Sequence, residues 1–204
     1  MWDPHLSRLT RLSTSGDFLG SFSLPAVADS RDVVPLGRRL LFARVASGVF
    51  WSEIDSTGAI LSNGPFPTSS LGQVPRVARQ PIVEQRGTTW AAGFPYGDLF
   101  VVYQDTSIRC IGRLTGAAPF PATAGPDMRA SIVGLVLADS SLYTLAKPRT
   151  TGALRVLDEY DATTCDYRRS RKLPGQFTAM SVLFDIFYFT SEELVPHIVA
   201  LTMK

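Results

Sequence analysis

Histidine, asparagine and cysteine are scarce in this chain, and their scarcity removes much of the usual catalytic repertoire. Its 204 residues include two histidines, His5 and His197, two cysteines, Cys110 and Cys165, and one asparagine, Asn63. Two histidines without a positioned carboxylate do not make a zinc site, so both read as structural or solvent-facing residues. The cysteines lack C-x-x-C spacing and fit neither a disulfide-dense secreted scaffold nor a metal site. They read as buried small apolar residues, a disulfide between them being the alternative. No H-E-x-x-H, G-x-S-x-G, G-x-G-x-x-G or Walker-type motif occurs. A Ser-His-Asp triad is set by geometry, and nothing nominates a particular serine for one. Neither a metal nor a cofactor is expected.

Long hydrophobic runs are missing too. The longest, Ile132 to Ala138, contains Gly134 and falls far short of the roughly 20 residues that span a bilayer. Met1 to Leu6 show no basic segment followed by an apolar one, so no signal peptide is read there. A formal charge of +2 is too small a field for nucleic acid, which requires clustered Lys and Arg on one face. The one dense basic cluster, Arg168, Arg169, Arg171 and Lys172, reads as a solvated outer strand.

Helical periodicity is nearly absent, whereas 16 glycines and 14 prolines cut the chain into short segments. Those segments are rich in Val, Ile, Leu, Phe and Tyr, the composition of strands on a pleated, half-buried surface. Leu40–Val45, Leu99–Tyr103, Ser141–Ala146 and Ile186–Thr190 are examples.

The segments recur as hairpins. Leu9 to Ser15 turns at Gly16, Val49 to Thr57 at Gly58, Val101 to Thr106 at Ser107, and Leu154 to Asp161 near Thr164. Asp, Ser, Thr and Gly at each centre supply the tight turn. The turns lie roughly 40 to 60 residues apart, near the repeat of propeller blades. Between them lie paired apolar runs, Ile132–Leu137 with Leu142–Leu145 and Phe177–Phe184 with Ile186–Phe189. Four strands per unit is what a blade requires. The predicted fold is all-β, a β-propeller of four-stranded antiparallel blades over residues 1–204, incomplete or open.

Trp2-Asp3-Pro4-His5-Leu6-Ser7-Arg8-Leu9, Ser15-Gly16-Asp17-Phe18-Leu19 and Ser23-Leu24-Pro25 together resemble a blade of NHL-like or TolB-like six-bladed β-propellers. Leu142-Tyr143, Leu154-Arg155-Val156, Tyr160-Asp161 and Leu173-Pro174 resemble another. Thr106-Ser107 stands where such blades carry glycine, and the spacing is uneven. In this register the chain starts near the second strand of one blade and stops at the third of another, Ile198–Leu201. About four and a half blades are then present, against about 240 residues for a six-bladed ring. Open ends of that kind favour self-association. The resemblance also implies a periplasmic or secreted setting, with any export signal lying upstream.

Asp158, Glu159 and Asp161 form the densest acidic group. They read as a solvated turn, because the D-x-D-x-D-G calcium pattern is missing. Trp51, Trp90, Phe100, Tyr143, Phe187 and Phe189 read as packing between blades. Trp90 and Tyr96 also flank the loop Phe94-Pro95-Tyr96-Gly97-Asp98, where facing a ligand is the alternative. The longer connections hold Arg76, Arg79, Asp127 and Arg129; loops of that length are often functional. The candidate binding face is therefore Arg76, Arg79, Trp90, Tyr96, Asp98, Asp127, Arg129 and Arg149. The function expected is a non-enzymatic binding or scaffold module for a protein or small-molecule ligand. Its rival is a propeller enzyme of the lactonase or lyase type with a central-channel site, since fold alone does not separate the two.

Overall fold

The structure is a computed structural model that describes residues 1–37, 39–45, 48–55, 57–68, 80–114, 131–146, 155–191 and 197–202. Among them are eighteen strands, one 3-10 turn at Pro25–Val27 and no α-helix. The strands form five antiparallel sheets in which sequence neighbours are spatial neighbours.

The chain divides into two compact units, Met1–Gly72 and Gln73–Lys204. In the first unit, β1 (Trp2–Asp3), β2 (Arg8–Leu12) and β3 (Phe18–Ser23) make a three-stranded first sheet. The second sheet has four strands, β4 (Ser30–Leu36), β5 (Arg39–Arg44), β6 (Trp51–Ile54) and β7 (Ile60–Gly64). Pro35 sits in β4, an edge strand, where its missing N–H breaks no ladder. The core of this unit gathers Leu24, Val27, Phe42 and Ile54, with Trp2, Leu9, Val33 and Leu40 packed against them. Trp2 meets Phe42 edge-to-face.

The second unit holds three sheets. The third sheet is β8 (Ile82–Arg86), β9 (Thr89–Gly93), β10 (Leu99–Gln104) and β11 (Ser107–Arg113). The fourth is β12 (Ile132–Ala138), β13 (Ser141–Ala146), β14 (Val156–Asp161) and β15 (Tyr167–Lys172). The fifth is β16 (Phe177–Leu183), β17 (Ile186–Ser191) and β18 (Ile198–Thr202). The first strand of the fourth sheet, β12, lies against the first strands of its two neighbours, β8 and β16. Phe100, Val102, Leu135, Leu142 and Tyr160 fill the space between the third and fourth sheets. Leu145, Leu157, Phe177, Phe187 and Phe189 fill that between the fourth and fifth. A sheet covered on both faces loses the alternation of a half-exposed one, and β14 is buried at all four central positions.

The turns after β2, β6 and β14 repeat one chemistry. Ser13 Oγ accepts the Asp17 N–H at 2.9 Å. Asp55 Oδ1 accepts from Thr57 N at 2.8 Å and Ala59 N at 3.0 Å, and Asp161 Oδ1 from Thr163 N at 2.7 Å and Thr164 N at 3.0 Å. A short oxygen side chain that opens the turn and bonds its backbone is the reason such residues initiate hairpins. A second device closes the other end of the β6–β7 pair and recurs in the β10–β11 pair. Trp51 lies opposite Gly64 and Phe100 opposite Gly112. A Cβ at either glycine would run into the facing ring, so each aromatic is packed against bare backbone.

Two expectations need correction. Cys110 and Cys165 are joined by a disulfide with Cα atoms 5.7 Å apart, so they are not separate apolar fillers. Asp158 and Glu159 are not in a solvated turn: both lie within β14, 4% and 7% exposed. Their strand is covered by sheets on either side, so they are matched by neighbouring strands rather than by water.

Candidate functional site

Charged groups on the described strands are used to tie strands together. Glu159 on β14 accepts from Arg169 Nε at 2.7 Å, from Ser141 Oγ at 2.9 Å and from Arg168 Nη1 at 3.5 Å. Burial raises its affinity for a proton, but these donors outweigh burial and hold its carboxyl below the usual range. Asp161 is lowered to about 2 by the Thr163 N–H, the Arg168 guanidinium and the Thr164 N–H. Asp158 differs. Burial pushes it up, against a hydrogen bond from Ser170 Oγ that pulls it down. The basic run is, as expected, on an outer strand: β15 is the exposed edge of the fourth sheet. Arg168 and Arg169 answer the acids of β14 and its turn, which sequence reasoning did not connect.

The second sheet carries a similar network. Arg44 Nε donates to Asp29 Oδ1 at 2.8 Å and its Nη1 to Ser52 Oγ at 3.0 Å, while Ser52 donates to Asn63 Oδ1 at 2.6 Å. Glu53 accepts from Ser62 Oγ at 2.9 Å.

A different arrangement occupies the β9–β10 connection. Phe94 N–H donates to Leu99 O and Gly97 N–H to Phe94 O, which close a tight loop. From the loop, Asp98 O accepts the Leu114 N–H at 2.7 Å and Pro95 O the Ser131 N–H at 2.5 Å. The two ends of the 114–131 connection are thus fastened to one short loop. Arg113 Nη1 reaches Asp98 Oδ2 at 2.6 Å from a largely exposed position. Asp98 Oδ1 is buried and has no hydrogen-bond partner among the described residues. Tyr96 is half-exposed at the loop's tip.

Of the eight candidate residues, the structure brings Tyr96 and Asp98 together in this loop and adds Arg113, which the sequence did not single out. An arginine ending a strand looks like any other edge charge until the loop opposite it is placed. Trp90 takes the packing role: it is fully buried, stacks on Tyr103 at 4.0 Å and donates its indole N–H to Asp105 O. Arg76, Arg79, Asp127, Arg129 and Arg149 lie outside the described residues. His5 and His197 are both exposed. Among the described residues no three of His, Cys, Asp and Glu gather to hold a metal, and no helix is long and apolar enough to cross a membrane.

No family model matches the chain, and no curated protein matches it in sequence. Solved structures do match in shape. The computationally designed Ika4 protein aligns at 11% identity and TM-score 0.52, over 84% of this chain and 89% of that one. BamB from Moraxella catarrhalis aligns at 10% identity and TM-score 0.54, over 92% of this chain and 49% of BamB. A Bacteroides fragilis protein assigned as exported aligns at 13% identity and TM-score 0.57, over 94% of this chain and 62% of that one. The chain therefore spans about half the length of BamB. Identities this low speak to fold alone, and together with the five antiparallel sheets they make this a β-propeller fold.

Proposed function

We propose that the chain is a non-enzymatic binding module of the β-propeller type. It holds a protein or small-molecule ligand on the face formed by the connections between sheets and between second and third strands. In a sequentially ordered antiparallel sheet, the second-to-third connection emerges at the same end as the start of the first strand and the finish of the fourth. Tyr96, Asp98 and Arg149 fall in the former class of connection; Arg76, Arg79, Asp127 and Arg129 fall in the latter. The observation that carries the reading is the fastening of Leu114 and Ser131 to the Pro95–Asp98 loop. It brings both flanks of a long connection to one short loop, and loops held by a scaffold are where recognition residues concentrate. In contrast, Glu159 and Asp161 already answer arginines within their own sheet, which leaves them poorly suited to act on a substrate.

The test compares wild type with a variant in which Arg76, Arg79, Tyr96 and Arg129 are alanine. An Arg86→Ala control sits at the opposite end of the third sheet, where Arg86 pairs with Asp139. Ligands found by thermal-shift screening, and proteins retained on immobilised chain, should bind wild type and the control but not the loop variant. Binding that survives in the loop variant refutes this face. Stoichiometric divalent metal in the purified protein, by elemental analysis, would favour the lactonase- or lyase-type reading instead.

A further inference from the structure

The hairpin turns after β2, β6, β10 and β14 each place one residue in the left-handed region of backbone space. In the first sheet it is Gly16, at φ +91°, and in the second Gly58, at φ +88°. Both donate their N–H to the residue that opens the turn, Ser13 and Asp55. In the fourth sheet, whose turn is one residue longer, the position just before the closing residue belongs to Cys165, at φ +62°, whose N–H donates to Asp161 O at 2.9 Å. A side chain is disfavoured in this region, and glycine is the residue that enters it without cost. The third sheet puts Asp105 there, at φ +57°, an aspartate being among the few side chains that visit this region readily; the fourth sheet instead sets a cysteine, which has no such tolerance. That cysteine is the one bonded to Cys110, on the outer strand β11 of the third sheet.

We propose that Cys110 and Cys165 are a covalent clamp between the third and fourth sheets, made by thiol–disulfide exchange in an oxidising compartment. The clamp joins residues 55 apart in sequence and lies beside the apolar cluster of Phe100, Leu142 and Tyr160 that fills the space between the sheets. Cross-linking so distant a pair removes much of the freedom of the unfolded chain, and this gain offsets the strained turn. In the forming step the two thiols lose two protons and two electrons. A disulfide-bearing oxidoreductase or oxidised glutathione accepts them and leaves as two thiols. Disulfides persist in exported and secreted proteins and are held reduced in the cytosol, so the clamp assigns this chain to the former setting.

The test uses the full chain and thermal unfolding with and without dithiothreitol, together with Cys165→Gly and Cys110→Ser. Oxidised wild type should melt highest, above its reduced form by on the order of 10 °C. Cys165→Gly should melt about 2–4 °C above reduced wild type, because glycine relieves the turn. Cys110→Ser, which keeps the strained cysteine, should match reduced wild type. If Cys165→Gly equals or exceeds the oxidised protein, or gains nothing over the reduced one, the proposal is overturned. Maleimide labelling of denatured protein gives the compartment arm. Protein exported behind a bacterial signal peptide should show no free thiol, and two free thiols there would also overturn it.

Discussion

The second and fourth sheets build their third strands from nearly the same letters and satisfy them by different means. Ser52-Glu53-Ile54-Asp55 and Asp158-Glu159-Tyr160-Asp161 each place a glutamate inside a covered strand and an aspartate at the turn. The aspartates behave alike, each bonding two backbone N–H groups. The glutamates do not. Glu53 meets a hydroxyl across the strand pair, and Arg39 stands at 3.5 Å. Glu159 meets Arg169 directly across from it, with Arg168 and Ser141 alongside. The difference follows the fourth strands, Ile60-Leu61-Ser62-Asn63-Gly64 against Tyr167-Arg168-Arg169-Ser170-Arg171-Lys172. The turn acid is thus part of the repeat, whereas the strand acid is matched sheet by sheet. Arg168 and Arg169 of β15 are counter-charges to the acids of β14 and its turn.

The comparison breaks most visibly at Gly64, where the second sheet lays Trp51 on bare backbone and the fourth sheet has no glycine opposite β14. Gly64→Ala forces the indole aside and should cost about 2–3 kcal/mol in denaturant unfolding. Next come the glutamates. Glu159→Ala strands two guanidiniums beside a buried site and should cost about 2 kcal/mol, while Glu53→Ala should cost about 1 kcal/mol. Equal losses would erase the distinction drawn between the sheets. The smallest effect is on acid stability. The folded pKa of Asp161 lies near 2, below its unfolded value, so its contribution is full above about pH 4 and is lost as pH falls towards 2. Glu159 acts in the same direction. Asp158, raised by burial, acts in the opposite one, its strain relieved as it takes up a proton. Asp161→Asn should therefore flatten the loss of near-ultraviolet circular dichroism between pH 4 and 2. An unchanged acid profile would mean the turn acid contributes nothing there.

Strands and turns were legible because they are written locally. Ser141–Ala146 is a strand as read, and the boundaries of β5, β10, β12 and β17 differ from the reading by only a residue. Charge in covered strands was not legible. Asp158 and Glu159 look like turn residues until the register sets Ser170 and Arg169 opposite them, and register is not a local property. The cysteine pairing was hidden for a related reason, since 55 residues of chain separate partners that only sheet packing brings together. At the candidate site, the sequence identified the Phe94–Asp98 loop but could not tell that Trp90 points into the core while Tyr96 stays at the surface.

The claim that strand charges are ties and that recognition belongs to the loop face is tested most directly by a double-mutant cycle on Glu159→Gln and Arg169→Met, read in both unfolding and ligand binding. A coupling of about 1–2 kcal/mol in stability, with binding unchanged, is the predicted result. No coupling in stability together with lost binding would contradict the account and make β14 and β15 the site.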